Sequence, residues 1–138
     1  MSSRLVTFAE DDPLIARAIE EAQRSLPQFF EAYSAPESNQ SAFLVKVMCE
    51  VGEHVEHIWV ADIDASVFPL QGTIANEPNL PGLRFMDRLE FHPSRITDWM
   101  YIEDGYLVGG FTTKAIRSTL SADERAAFDA GKPYRFRD

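Results

Sequence analysis

The sequence predicts an α+β fold: an N-terminal helix, a curved antiparallel β-sheet of about five to six strands, and C-terminal helices packed on the sheet. Three observations carry this. An amphipathic period opens the chain, with Leu14, Ile15, Ala18, Ile19, Ala22 and Leu26 recurring on one helical face. Strand-like segments joined by short turns fill the middle, the clearest turn being Asp104-Gly105 between Tyr101-Ile102 and Tyr106-Leu107-Val108. A capping box, Ser121-Ala122-Asp123-Glu124, followed by Gly131 and Pro133, marks a helix near the end.

Taken in order, the first helix is expected over 13–26. Asp12 suits its N-cap and Pro13 its first turn, where no N–H is needed. Pro27 is expected to end or kink it, because proline removes a donor and clashes with the preceding turn. Phe29, Phe30 and Tyr33 then read as a short second helix, and 34–41 as an exposed loop. A strand follows over 42–50, with Phe43, Val45, Val47 and Cys49 on one face and Lys46 and Glu50 on the other. Gly52-Glu53 turns the chain into a strand over 54–63, whose face Val55, His57, Trp59, Ala61 and Ile63 share by alternation. A third strand is expected over 67–74, with Pro69 and Gly72 as irregularities. A breaker-rich loop over 76–82 leads to short strands over 88–92 and 99–103 and to the Asp104-Gly105 hairpin. Gly109-Gly110 permits a sharp change of direction, after which Thr112 or Thr113 is expected to cap a helix to about Thr119.

Length and charge narrow the function. The chain has 138 residues, 45% of them hydrophobic, which fits one domain over 1–138. A chain of this size buries about two-thirds of its extended surface, so neither disulfides nor metals are needed as staples. The formal net charge is −9; residues 1–83 carry 4 basic and 13 acidic side chains, and residues 84–138 carry 9 of each. The acidic half lacks the basic stripe that releases counterions from nucleic acid. The same sign argues against anionic membrane surfaces, so the partners expected are a protein or a small-molecule ligand. Oligomeric state is left open. No apolar run approaches the ~18 residues needed to span a bilayer. The N-terminus reaches Glu10-Asp11-Asp12 too soon for a secretory signal, and Cys49 stands alone. Both point to a cytoplasmic address.

Several motifs bear on chemistry. Glu53-His54-Val55-Glu56-His57 resembles a zinc-protease pair, but its histidines are three apart on a strand. Alternation sends them to opposite faces, so no metal site and no cofactor is expected. Cys49 shares an apolar strand face and reads as a core residue rather than a thiolate nucleophile. There is no G-x-S-x-G elbow and no Gly-rich phosphate loop. Asn39-Gln40-Ser41 fits a glycosylation pattern that carries no meaning without secretion. Asn76-Glu77-Pro78 closes the third strand, and Asp98-Trp99-Met100-Tyr101 opens a later one. With His57, Trp59 and Thr112 they are candidates for one polar–aromatic pocket, in which the binding residues are His57, Trp59, Asn76, Glu77, Asp98, Trp99, Tyr101 and Thr112. Alternatively, Asp98 and Glu77 each serve locally as acceptors for backbone N–H groups.

These motifs occur in a fixed order: Phe43-Leu44-Val45-Lys46-Val47, His57-Ile58-Trp59-Val60, Asn76-Glu77-Pro78, Asp98-Trp99-Met100-Tyr101 and Gly109-Gly110-Phe111-Thr112. Over about residues 10–120 the chain resembles the YegJ-like bacterial family, domain of unknown function 2314. It departs where members typically place Gly-Asp before the late strand; here the pair is Met86-Asp87. The resemblance implies a small α+β domain with a curved antiparallel sheet. It implies no reaction, so no catalytic residue is transferred.

The leading expectation is a small cytoplasmic bacterial protein acting as a non-enzymatic binding or protein-interaction module, accessory or regulatory. An immunity-type role, covering the basic site of a toxin, is a special case. The alternative is a small hydrolase or isomerase using His57 with Glu77 or Asp98 as acid–base groups.

Overall fold

The computed structural model describes residues 12–137. Helix α1 spans Pro13–Ser34, with Pro13 in its first turn and the Asp12 carboxylate accepting from the Leu14 N–H at 2.8 Å. The helix runs through Pro27 instead of ending there, so the expected short second helix is its last turns. The reason is tertiary. Phe29 beyond the proline is fully buried, 5.9 Å from both Phe43 and Trp99, and Tyr33 donates to the Ile63 carbonyl at 2.9 Å. Burying a Phe-sized side chain contributes ~2–3 kcal/mol, which offsets most of the ~3 kcal/mol cost of an internal proline.

Six antiparallel strands follow: β1 Gln40–Val51, β2 His54–Asp64, β3 Leu70–Ile74, β4 Arg88–Phe91, β5 Ile96–Glu103 and β6 Tyr106–Gly109. Their order across the sheet is β4-β3-β2-β1-β5-β6. A 3₁₀ turn, Pro93–Arg95, enters β5, and helices α2 (Phe111–Ser118) and α3 (Ala122–Ala130) complete the chain. The fold is thus α+β, with an N-terminal helix, a six-stranded antiparallel sheet and two C-terminal helices. The β5–β6 hairpin turns at Asp104 (φ 54°) and Gly105 (φ 84°), the paired left-handed geometry that matches strand twist. The α3 capping box forms reciprocally between Ser121 and Glu124.

Strand bounds differ from expectation where polar residues pair. β5 begins at Ile96, because Ile96 and Asp98 pair with Val47 and Lys46 of β1. β3 begins only at Leu70, and Val67 and Phe68 before it are exposed. Met86 has φ 77°, the left-handed region that glycine occupies without strain.

Residues paired across a ladder share a face. Val45 pairs with both Val60 and Trp99, and these line the main core together with Phe29 and Ala22 of α1. On the opposite face Lys46 pairs with both Trp59 and Asp98, and Met48 pairs with His57. Alternation along β2 fails at one place. Asp62, at φ 47° inside a register shift, turns Ile63 into the core, away from the face of His57 and Trp59 where it was expected. Gly72 admits no side chain, since a Cβ there would lie 2.3 Å from Val60. α2 packs along α1 through Ala115, Ile15 and Ala18. Arg117 of α2 holds α3 by two 2.8 Å bonds to Asp129. Beyond α3, Arg135 exchanges 2.9 Å backbone bonds with Gly105 and Leu107, covering the β6 edge. No helix among the described residues is long and apolar enough to cross a membrane.

Candidate functional site

The site is built around Asp98, whose side chain is fully buried in the middle of β5. A buried carboxylate is costly unless its lone pairs are satisfied. Asp98 accepts from the Trp99 N–H at 2.8 Å, the Phe111 N–H at 3.0 Å, the Thr112 N–H at 2.9 Å and the Thr112 hydroxyl. Two of these donors are orphan amides of the first turn of α2. The sequence predicts Thr112 or Thr113 as the cap of that helix, and neither is. The N-cap is Gly110, left-handed at φ 61° and without a side chain, so the capping acceptor comes from β5. Gly109 makes this approach possible. Its φ is 75°, and a Cβ there would lie 2.4 Å from the Trp99 carbonyl oxygen.

Thr112 passes the connection on to β1. The Lys46 ammonium donates to Thr112 Oγ1 at 2.9 Å and lies 4.8 Å from the centre of the Trp59 ring. Burial holds the Lys46 pKa below its usual value; Asp98 raises it again in part, and Lys132 lowers it further. Beside this row, His57 Nδ1 and Thr97 Oγ1 lie 2.8 Å apart, and Thr97 falls at the β1–β5 irregularity opposite Lys46 and Val47. Asn76 fixes Trp59 from the other side, its Oδ1 accepting the Trp59 N–H at 2.7 Å.

The sequence-predicted residues therefore separate. His57, Trp59, Asp98 and Thr112 lie along one sheet face or its margin, and Asn76 joins through the Trp59 backbone. Glu77 is exposed in the β3–β4 connection. Trp99 and Tyr101 are buried in the core on the opposite face, their rings stacked at 6.0 Å, with the Trp99 indole donating to the Ala22 carbonyl at 3.1 Å. Asp98, with four donors on its oxygens, is a positioning group rather than a base.

Lys46 and Thr97 were not among the candidates. The signal for Lys46 was present, since alternation already placed it away from the apolar face of its strand. In the sequence Glu56 stands out only as part of the Glu53–His57 motif. It is buried and accepts from the Asn79 and Leu80 N–H groups at 2.8 and 3.1 Å, pinning the β3–β4 connection to β2. Cys49 packs against the core, and its pKa is pushed up to about 11 by burial and by Glu56. His54 is exposed and His57 half-buried on the other face of β2. Among the described residues no group of three or more His, Cys, Asp or Glu side chains is placed to hold a metal ion.

The family described as an uncharacterised protein conserved in bacteria, DUF2314, matches residues 12–136. A putative ankyrin repeat protein of Neisseria meningitidis serogroup B is 33% identical over 90 residues, which is 64% of this chain and 36% of that protein. The chain thus matches little more than a third of that relative's length. The uncharacterised protein YegJ of Escherichia coli K12 is 26% identical over 125 residues, covering 90% of this chain and 80% of that one. No solved structure matches.

Proposed function

The chain belongs to the bacterial DUF2314 family, and from that premise we propose that it is a non-enzymatic binding module, an accessory or regulatory protein of the cytoplasm. The observation that carries this reading is the state of Asp98. Its carboxylate is fully engaged in holding α2 and Thr112, which leaves no acceptor for proton transfer. What the face offers instead is recognition: a half-buried lysine whose ammonium lies against an indole, with His57 and Met48 beside it. Such amphipathic groups anchor a partner protein or small-molecule ligand. The acidic first half of the chain favours a partner with a basic surface, as an immunity-type role would require.

The test compares capture by the wild-type chain with capture by a folded Lys46→Met/Trp59→Ala variant. A protein or ligand held by the first and lost by the second supports the reading. Identical capture by both, or turnover of a small molecule that depends on His57, overturns it.

A further inference from the structure

A second feature lies where the C-terminal segment meets Tyr106 of β6. A cleft of about 260 Å³ is lined by Tyr106, Arg117, Asp129, Tyr134, Arg135 and Phe136. Arg117 is engaged by Asp129 through paired 2.8 Å bonds. Arg135 and Arg137 differ. Among the described residues neither forms an ion pair with a carboxylate, and both guanidiniums lie over the Tyr106 ring, at 4.8 and 4.4 Å from its centre. Two like charges on one ring repel each other, and among the described residues no side-chain hydrogen bond or ion pair engages their N–H edges. The Arg135 backbone is fixed by its bonds to Gly105 and Leu107, so this guanidinium starts from a rigid anchor.

We propose that this cleft binds a phosphomonoester dianion carried on a small ring-bearing molecule. Arg135 lines the cleft and Arg137 stacks on Tyr106 at its margin; two guanidiniums without an ion pair among the described residues match the two charges of a phosphomonoester, whose second ionisation lies near pH 6, and a carboxylate matches only one. The planar donor fork of arginine suits phosphate oxygens geometrically. The Tyr134 ring gives the apolar part of such a ligand a wall to lie against; it is held edge-to-face at 5.5 Å by Phe136, whose own ring carries the Arg117 guanidinium at 4.4 Å. Neither Lys46 nor Trp59 lines the cleft, although the Asp98 carboxylate acts on Tyr134.

The test is isothermal titration calorimetry of the full chain at low, constant ionic strength with phenyl phosphate, inorganic phosphate and benzoate. Phenyl phosphate is expected to bind one per chain, roughly tenfold tighter than either comparison anion, and to weaken as pH falls from about 7.5 to 5.5. Arg135→Gln and Arg137→Gln should each weaken it about tenfold while melting as the wild type does. Arg135→Lys, which keeps charge but not the fork, should recover only part. Trp59→Ala should leave it unchanged. No saturable heat with phenyl phosphate, or binding indifferent to both Gln substitutions, overturns the proposal.

Discussion

The Asp98 carboxylate accepts the Thr112 backbone N–H at 2.9 Å, so a strand side chain does for α2 what its own N-cap glycine cannot. Removing it leaves several buried donors unpaired at once. Asp98→Ala is expected to cost ~3–5 kcal/mol. Asp98→Asn should cost nearly as much, because the amide nitrogen turns a donor toward donors. Urea midpoints for both variants check this, and a loss below ~1 kcal/mol for either contradicts the capping role.

Met86 predicts the opposite sign. It is exposed and held at φ 77°, where a side chain costs ~1–2 kcal/mol and glycine costs little. The extra entropy glycine gives the unfolded chain removes part of that gain. Met86→Gly should therefore raise stability by ~0.5–1 kcal/mol, read as a higher midpoint in urea.

Two glycines separate strain from collision. Gly52 (φ 61°) has nothing within 4 Å of where a Cβ would stand, whereas at Gly109 (φ 75°) it would meet the Trp99 backbone and ring. Gly52→Ala is expected to cost ~1–2 kcal/mol. Gly109→Ala should cost well above that and release the β5–α2 connection. Equal melting temperatures for the two variants would refute the distinction.

Lys46 ties stability to alkaline pH. Its folded pKa lies below 10.5, so between that lowered value and 10.5 the unfolded chain binds more protons than the folded one. Stability contributed by this group therefore rises with pH across that window. Cys49 acts oppositely, losing stability between 9.0 and about 11. In a Cys49→Ala background the wild-type lysine should show the rise and Lys46→Met should lack it, as followed by urea midpoints at stepped pH.

The same thiol gives a kinetic check. A pKa of about 11 against an ordinary 9.0 leaves about a hundredfold less thiolate at pH 8. Iodoacetamide should label native Cys49 at least that much more slowly than the urea-unfolded chain.

Much of the architecture was legible because it rests on local periodicity. The Asp12-Pro13 start, the Asp104-Gly105 hairpin and the Ser121–Glu124 box are each decided by neighbours in sequence. What escaped was decided by distant partners. Pro27 stays helical because Phe29 and Tyr33 dock on the sheet, and Ile63 turns inward because Asp62 takes a left-handed conformation. The candidate site suffered from the same limit. Asp98 and Trp99 are adjacent in the chain, yet one faces Lys46 and the other faces α1. Only the pairing of β5 with β1 separates their roles.

That pairing also shapes how the chain assembles. β1 through β4 form one meander, with the long 75–87 connection between β3 and β4, and β5–β6 form one hairpin. Within the sheet the β1–β5 seam joins them, and it unites residues far apart in sequence, such as Val45 with Trp99 and Lys46 with Asp98. Closing that long loop is the entropically slow event. Because Asp98 sits on the seam and also caps α2, zipping the two halves together and starting that helix are one cooperative act. Partial opening at the seam would expose both the indole core and the helix end, so native-state hydrogen exchange should report β1, β5 and the first turn of α2 as a single unit.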